Sequence, residues 1–475
     1  MIDTAALKNN ILELAFKGEL ISFVEGDGCI SELIQDIPSP SNKRLGLLKK
    51  GSDTVFPYTL PDNWEIVPLG KITSYGDTPT KIMASDVESD TWILELEDIE
   101  AGGRLLKRTR VGSRQAIGEK TTFNRGQVLY SKLRPYLKKV LQADEDGICT
   151  PELIAFDVYA GINPRYIMYY LICNFVDKVI NQRSYGVKMP RVDAQFMVNL
   201  PVPLPTIAVQ NKIVDIIDEA FSAVETINKL QVQYSSDLEV LKSKIIDAGV
   251  QGKLTEQLPE DGTAEELLEQ IAKEKKQLIK EKKIKATKAL PEITEDEIPF
   301  EIPENWKWVR LADICSKITS GNTPAGGSKG GAYVTEGNCF FREQNIYNDG
   351  IHYEGMVYIT DELLATRENS TVLPQDILLN ITGGSIGRCA LIPDDFSKGS
   401  INQHILIIRV IEPEIRQYIH KCLCSPYYQK LIMGNVVGDK DGFSAGRCKN
   451  TLIPLPPIGE QKRIVEKITQ ILEQI

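Results

Sequence analysis

The plainest pattern in the chain is an apolar seam at Ile213, Ile217, Ala220, Val224, Ile227, Tyr234, Leu238, Leu241, Ile245 and Ala248, stepping by four and three residues and interrupted at Gln231. Heptad spacing of this kind predicts one long helix, about 60 Å at about 1.5 Å per residue. A seam so narrow needs a partner helix, so a coiled-coil spacer is a better reading than a helix lying on its own domain. Gly249 and Gly252 are expected to end it. The same spacing recurs at Ile464, Ile468 and Ile471, and again at Leu7, Ile11 and Leu14. "LKNNILELAFKGEL" lines up with "LKSKIIDAGVQGKL", and "PLPPIGEQKRIVEKI" with "PLPTIAVQNKIVDII". The chain end thus supplies the first part of a second long helix and the start supplies its last part. The pattern predicts a circularly permuted duplication, with both terminal segments antiparallel along the middle helix. The N-terminal segment is expected against Leu238 to Ile245.

Elsewhere the pattern changes to short β-branched and aromatic runs between Gly, Pro and Asn, which read as strands and turns. These runs also repeat. Pro61 aligns with Pro303 in "PDNW" and "PENW", Ile99 with Ile346, Arg125 with Pro374, and Pro203 with Pro454. The order is preserved and the spacing grows slightly, as loop insertions produce. "VVGDKDGF" and "GSKGGAY" read as loops. The resulting division is an N-terminal helix at 1–20, a linker at 21–56, a first α/β unit at 57–206, the central helix at 207–254, a charged linker or helix at 255–298, a second unit at 299–457 and a C-terminal helix at 458–475. The Glu/Lys-rich stretch within 255–298 suits a solvated helix with i,i+4 pairs, a docking arm being the alternative.

Composition changes this picture in one respect. A net charge of −10 argues against nucleic acid when read alone. Yet "AGGRLLKRTRVGSRQAIGEKTTFNRGQVLYSKLRPYLKKV", from Ala101 to Val140, holds eleven Lys/Arg against the single acid Glu119. The length, 475 residues, suggests several domains. No apolar run reaches membrane-spanning length and no signal peptide is read at the start, so a cytoplasmic location is expected. The nine scattered cysteines are expected to be reduced thiols without a metal site.

Reactive groups are sparse. His352, His404 and His420 lie in no nucleophile or metal pattern, and "GNTPAGGSK" fails as a phosphate loop because Gly327 stands where the lysine must be. "NPRY" at Asn163 departs at Arg165 from the Asn-Pro-Pro-aromatic motif of amino-methyltransferases. No catalysis is expected of this chain.

Two strand-rich units that each open at "P(D/E)NW" and close at "PLP…Q(N/K)(K/R)IV", with "AGVQGKL" ending the middle helix, together resemble the specificity subunit of type I restriction-modification systems. The resemblance spans almost the whole chain. It implies an α+β protein in which two α/β target recognition domains are held apart by long helices forming an antiparallel coiled coil with a pseudo-two-fold axis. Each domain would read one half of a bipartite double-stranded DNA target. It further implies two methyltransferase subunits as partners and up to two restriction subunits, with S-adenosylmethionine, ATP and Mg held by those partners and no cofactor here. The alternatives are a specificity subunit of a type IIB-like system, or a DNA-binding adaptor without restriction partners.

Basic residues interleaved with aromatics suit DNA, with Arg reading guanine and Lys holding phosphate. In the first unit the candidates are Tyr130, Lys132, Arg134, Tyr136, Lys138 and Lys139, then Arg104, Lys107, Arg108 and Arg110, with Lys188 and Arg191 on a loop. Glu95, Glu97 and Asp98 are expected either to accept from cytosine or to set register against phosphate. In the second unit "NITGG" replaces "YSKLR". The candidates there are Lys329, Arg342, Gln344, Asn345, Asn380, Thr382, Ser385, Arg447 and Lys449, with turn roles for Asn345 and Asn380 equally open.

Overall fold

The computed structural model describes residues 1–21, 30, 37–51, 53–114, 117–186, 189–286, 290–324, 331–434 and 443–475. It divides into two compact units, Met1–Gln233 and Tyr234–Ile475. A continuous helix, Ile207–Val250, runs from the first into the second.

In the first unit the N-terminal helix Thr4–Lys17 starts where the Asp3 carboxylate accepts from the Ala5 and Ala6 N–H groups, at 3.1 and 2.9 Å. It runs antiparallel to the first part of the long helix. The Ile2 N–H donates to Gln231 Oε1 at 2.5 Å and the Thr4 hydroxyl to Asn228 Oδ1 at 2.6 Å. Lys8 pairs with Glu225 at 3.3 Å and lies over the Phe221 ring. The expected placement against Leu238 to Ile245 is therefore corrected: repeat alignment identifies equivalent positions, not touching ones. The buried face is Leu12, Ala15 and Phe16, whereas Leu14 is 40% exposed and Leu7 and Ile11 are half-buried.

The seam of the long helix is likewise uneven. Ile213, Ile217 and Val224 are buried, and Ile227, Leu238 and Ile245 half-buried, but Tyr234 and Leu241 are exposed at 62% and 44%. Gly249 does not end the helix. A Cβ there would lie 2.8 Å from Ile468 Cδ1 and 3.1 Å from Ile464 Cγ2, so its missing side chain is what lets the C-terminal helix Ile458–Gln474 approach.

The repeated tetrapeptide has a physical role at two helix ends. Gly18 and Gly252 adopt left-handed backbone, φ +76° and +71°, and a Cβ on either would sit 2.6 Å from the ring of Pro61 or Pro303. In both places the following N–H closes the helix, Glu19 to the Leu14 carbonyl and Lys253 to the Ala248 carbonyl, both at 2.9 Å. The proline then rests on the glycine, with Trp64 or Trp306 beside it.

Each unit opens and closes on one antiparallel strand pair, Glu65–Pro68 with Pro201–Leu204, and Lys307–Arg310 with Leu452–Leu455. The tyrosines of a neighbouring helix donate to carbonyls of the closing strand: Tyr166 to Pro203 at 2.6 Å and Tyr418 to Pro454 at 2.7 Å. Between these pairs the first unit carries a five-stranded sheet and a three-stranded sheet, with Val128–Ser131 in the middle of the latter. The second unit has two four-stranded sheets and a small hairpin, and Ile377–Asn380 lies between Cys389–Leu391 and Ile405–Val410.

Two segments expected as connections belong to the units. The span 21–56 includes the helix Asn42–Leu48, whose Arg44 is buried and donates to the Thr73 carbonyl, Asp77 and Tyr159 at 2.8 to 2.9 Å. Within 255–298 the helix Ala264–Lys280 carries a Thr263/Glu266 capping box and buries Leu267 and Ile271 in the second unit's core. Its Lys275 ammonium donates to the Ala312 carbonyl at 2.7 Å, so one face is packed rather than solvated.

Candidate nucleic-acid interface

In the first unit the connection after the middle strand Val128–Ser131 is a tight 3-10 turn, Pro135–Leu137, flanked by two non-glycine residues in left-handed backbone, Arg134 (φ 49°) and Lys138 (φ 50°). Each such residue costs about 1–3 kcal/mol and persists only where its surroundings impose it. Here the Arg134 N–H donates to the Pro190 carbonyl at 2.7 Å, and Leu133 bridges to Arg191. Arg191 is in turn held by Glu152, at 2.8 Å through Nη2 and 3.2 Å through Nε, with Lys132 4.0 Å from the same carboxylate. The arrangement leaves the Arg134 and Tyr136 side chains exposed.

Other first-unit candidates are placed differently. Tyr130 is 2% exposed and belongs to the core, so it is withdrawn as a DNA contact; it is strand spacing, not the basic run, that sets its direction. Lys138 lies 3.3 Å from Asp177. Lys139 donates to the Leu96 carbonyl at 2.7 Å, and burial, with the Arg134 charge, pulls its ammonium below the usual range. Arg108 pairs with Asp144 and Glu145 over the Trp92 ring, and Arg110 pairs with the same Glu145. Arg104 pairs with Glu100 at 2.6 Å, while Lys107 is exposed. The acids expected to face DNA are also engaged internally: Glu95 with Lys120 at 2.6 Å, Asp98 with Arg114 at 2.6 Å and Glu97 with Arg114 at 2.8 Å. Lys188 lies outside the described residues.

In the second unit the corresponding hairpin connection follows Ile377–Asn380 and presents Gly383 and Gly384 to solvent, with Thr382 and Ser385 half-buried beside them. Asn345 and Asn380 are fully buried and structural, which corrects their inclusion as readers. Asn345 accepts from the Arg342 N–H and donates to the His352 carbonyl at 3.0 Å. Asn380 donates to the Glu343 carbonyl at 2.8 Å and to Ser385 Oγ at 3.1 Å. Arg342 donates to the Gly355 carbonyl at 2.6 Å; Gln344 is exposed. Arg447 is exposed and Lys449 half-buried on the helix Ala445–Asn450. Lys329 lies outside the described residues.

The fold adds residues that no linear motif marked. Thr382 Oγ1 and His404 Nδ1 are 2.6 Å apart, Gln403 contacts the other ring nitrogen at 3.0 Å, and Asn402 donates to Glu343 at 2.8 Å. Arg388 stacks 4.3 Å above the Tyr347 ring, which in turn stacks on His352 at 4.0 Å. The signal available was "INQH" just before an apolar run, a polar cluster at a strand junction.

The two halves thus define a duplicated α/β protein in which corresponding hairpins carry dissimilar polar loops. Residues 61–233 and 303–475 match the family described as Type I restriction modification DNA specificity domain, and the chain belongs to that family, that of the type I specificity subunits. It is 26% identical over 541 residues to the EcoAI specificity subunit of Escherichia coli, covering 98% of this chain and 88% of that one. It is 25% identical over 537 residues to the EcoEI specificity subunit of the same organism, covering 97% and 88%. Among solved structures it resembles one described under complex assembly and conformational transition of the type I R-M system, with TM-score 0.62, 18% identity and coverage of 88% and 92%. It also resembles the HsdS subunit from Thermoanaerobacter tengcongensis, with TM-score 0.50, 18% identity and coverage of 88% and 91%.

Proposed function

We propose that this chain is the non-catalytic DNA-reading subunit of a type I restriction-modification complex, each unit reading one half of a bipartite double-stranded target. Paired helices act as the spacer and dock two methyltransferase subunits, which carry S-adenosylmethionine; ATP and Mg belong to restriction subunits. The observation that carries the reading is the Arg134–Lys138 turn. A strained backbone exposes an arginine and a tyrosine from the hairpin of a middle strand, while the same hairpin in the second unit exposes glycines flanked by Thr382 and Ser385. Two loops in one topological place with different hydrogen-bonding groups suit two different half-sites. The pairing of Arg104, Arg108 and Arg110 with acids favours a structural role for them and narrows the basic stretch to Arg134, Tyr136 and Lys107.

The test uses the chain assembled with its methyltransferase partners and DNA randomised in one half-site at a time. Arg134→Ala is expected to weaken binding by about 1–3 kcal/mol and relax selection in one half only. Equal relaxation in both halves contradicts independent reading. A reduced salt slope with intact selection would assign Arg134 to phosphate.

A further inference from the structure

Outside the candidate interface, the fold gathers three soft ligands that lie far apart in sequence. Cys389 is the first residue of the strand that leaves the second unit's hairpin loop, paired with Leu379. His420 and Cys424 stand one helical turn apart on Arg416–Cys424, so both face the same side. One ligand atom from each lies within 4.8 Å of the others. We propose that Cys389, His420 and Cys424 form a binding site for a soft divalent metal ion of the zinc type, tying the base of that loop to the helix behind it.

The geometry matches the chemistry. At zinc–sulfur and zinc–nitrogen lengths of about 2.3 and 2.0–2.1 Å, tetrahedral ligand atoms stand roughly 3.5–3.8 Å apart. His420 Nε2 is 3.5 Å from Cys424 Sγ. The same nitrogen is 2.9 Å from the Cys389 carbonyl, the hydrogen-bond partner it has without metal. Binding moves the imidazole proton to Nδ1 and releases two thiol protons, one from each cysteine, leaving two thiolates to neutralise the dication. That cancellation is what a buried site requires. Cys389 and His420 are buried, whereas Cys424 is half-buried and leaves a way in. The three protein ligands leave a fourth position for water or another donor. Cys422, on the same helix, lies outside the trio.

The site does not depend on the DNA reading, and its test needs no DNA. The full chain, purified with chelator and then titrated with Co²⁺, should take up a single equivalent with a thiolate-to-cobalt charge-transfer band that Zn²⁺ abolishes. The band should be absent in Cys389→Ser/Cys424→Ser and in His420→Gln. Alkylation of the unmutated chain, mapped by mass spectrometry, gives a readout free of folding defects in the variants. Zn²⁺ should protect Cys424, the accessible member of the trio, while leaving the alkylation of Cys339 unchanged. No band at excess Co²⁺, a band that survives the double substitution, or no protection by Zn²⁺ would each overturn the proposal.

Discussion

Glu460 shows how much one side chain holds in the second unit. It is fully buried at the start of the C-terminal helix and accepts from the Trp306 indole at 2.8 Å, from Gln257 at 2.8 Å and from the Thr255 hydroxyl at 3.2 Å. Glu460→Ala leaves a buried indole N–H without an acceptor, so a loss of about 1–3 kcal/mol is expected, read as a lower urea midpoint at unchanged slope. Glu152 makes a pH-dependent clasp under the Arg134 turn. The Arg191 hydrogen bond, opposed by burial and aided by the Lys132 charge, holds its carboxyl below the usual range. A carboxyl lowered in the folded state stabilises fully above its unfolded value, about 4.3, and loses that contribution as pH falls through the folded value. The stability difference between the unmutated chain and Glu152→Gln should therefore be constant near neutrality and vanish in acid. A difference that grows on acidification would refute the clasp.

At the scale of elements, the glycines at helix ends separate what sequence shows from what it hides. Gly252→Ala forces a Cβ into left-handed backbone and onto Pro303, so it should cost about 1–3 kcal/mol by urea unfolding, whereas Gly102→Ala, also at positive φ but facing open space, should cost less. The long helix, the repeated units and their "PLP" boundaries were legible because periodicity and proline act locally. Gly249 was misread as a terminator because glycine looks the same in sequence whether it ends a helix or admits a neighbour. The register of the N-terminal helix was misread for a related reason. Residues equivalent to one another in a duplication face equivalent partners rather than each other, and no local spacing states that. Candidate contacts were legible only as a basic stretch. Tyr130 was lost to the core, and Arg108 and Arg110 to Asp144 and Glu145, acids more than thirty residues away in sequence. Cys389 lies far in sequence from the His420–Cys424 turn, so only the fold joins them.

At the scale of the whole molecule, each unit contains both ends of its own closure. Removing residues 1–20 should uncover Ile213, Ile217 and Val224 and speed hydrogen exchange across 207–233, while leaving 234–250 at its original rate. Equal acceleration along the entire helix would mean that its halves are not separately supported. The long-range pairing of Ile2 with Gln231 has a further bearing, on the order in which a ribosome delivers the chain. The N-terminal helix emerges early but its partner surface comes more than two hundred residues later, so its apolar face must wait, open to chaperones. Once residue 233 has cleared the exit tunnel, all of the first compact unit is outside and can close. A nascent chain stalled beyond that point should already resist protease, while one stalled at 206 should not, and the second unit would then be made beside a finished neighbour.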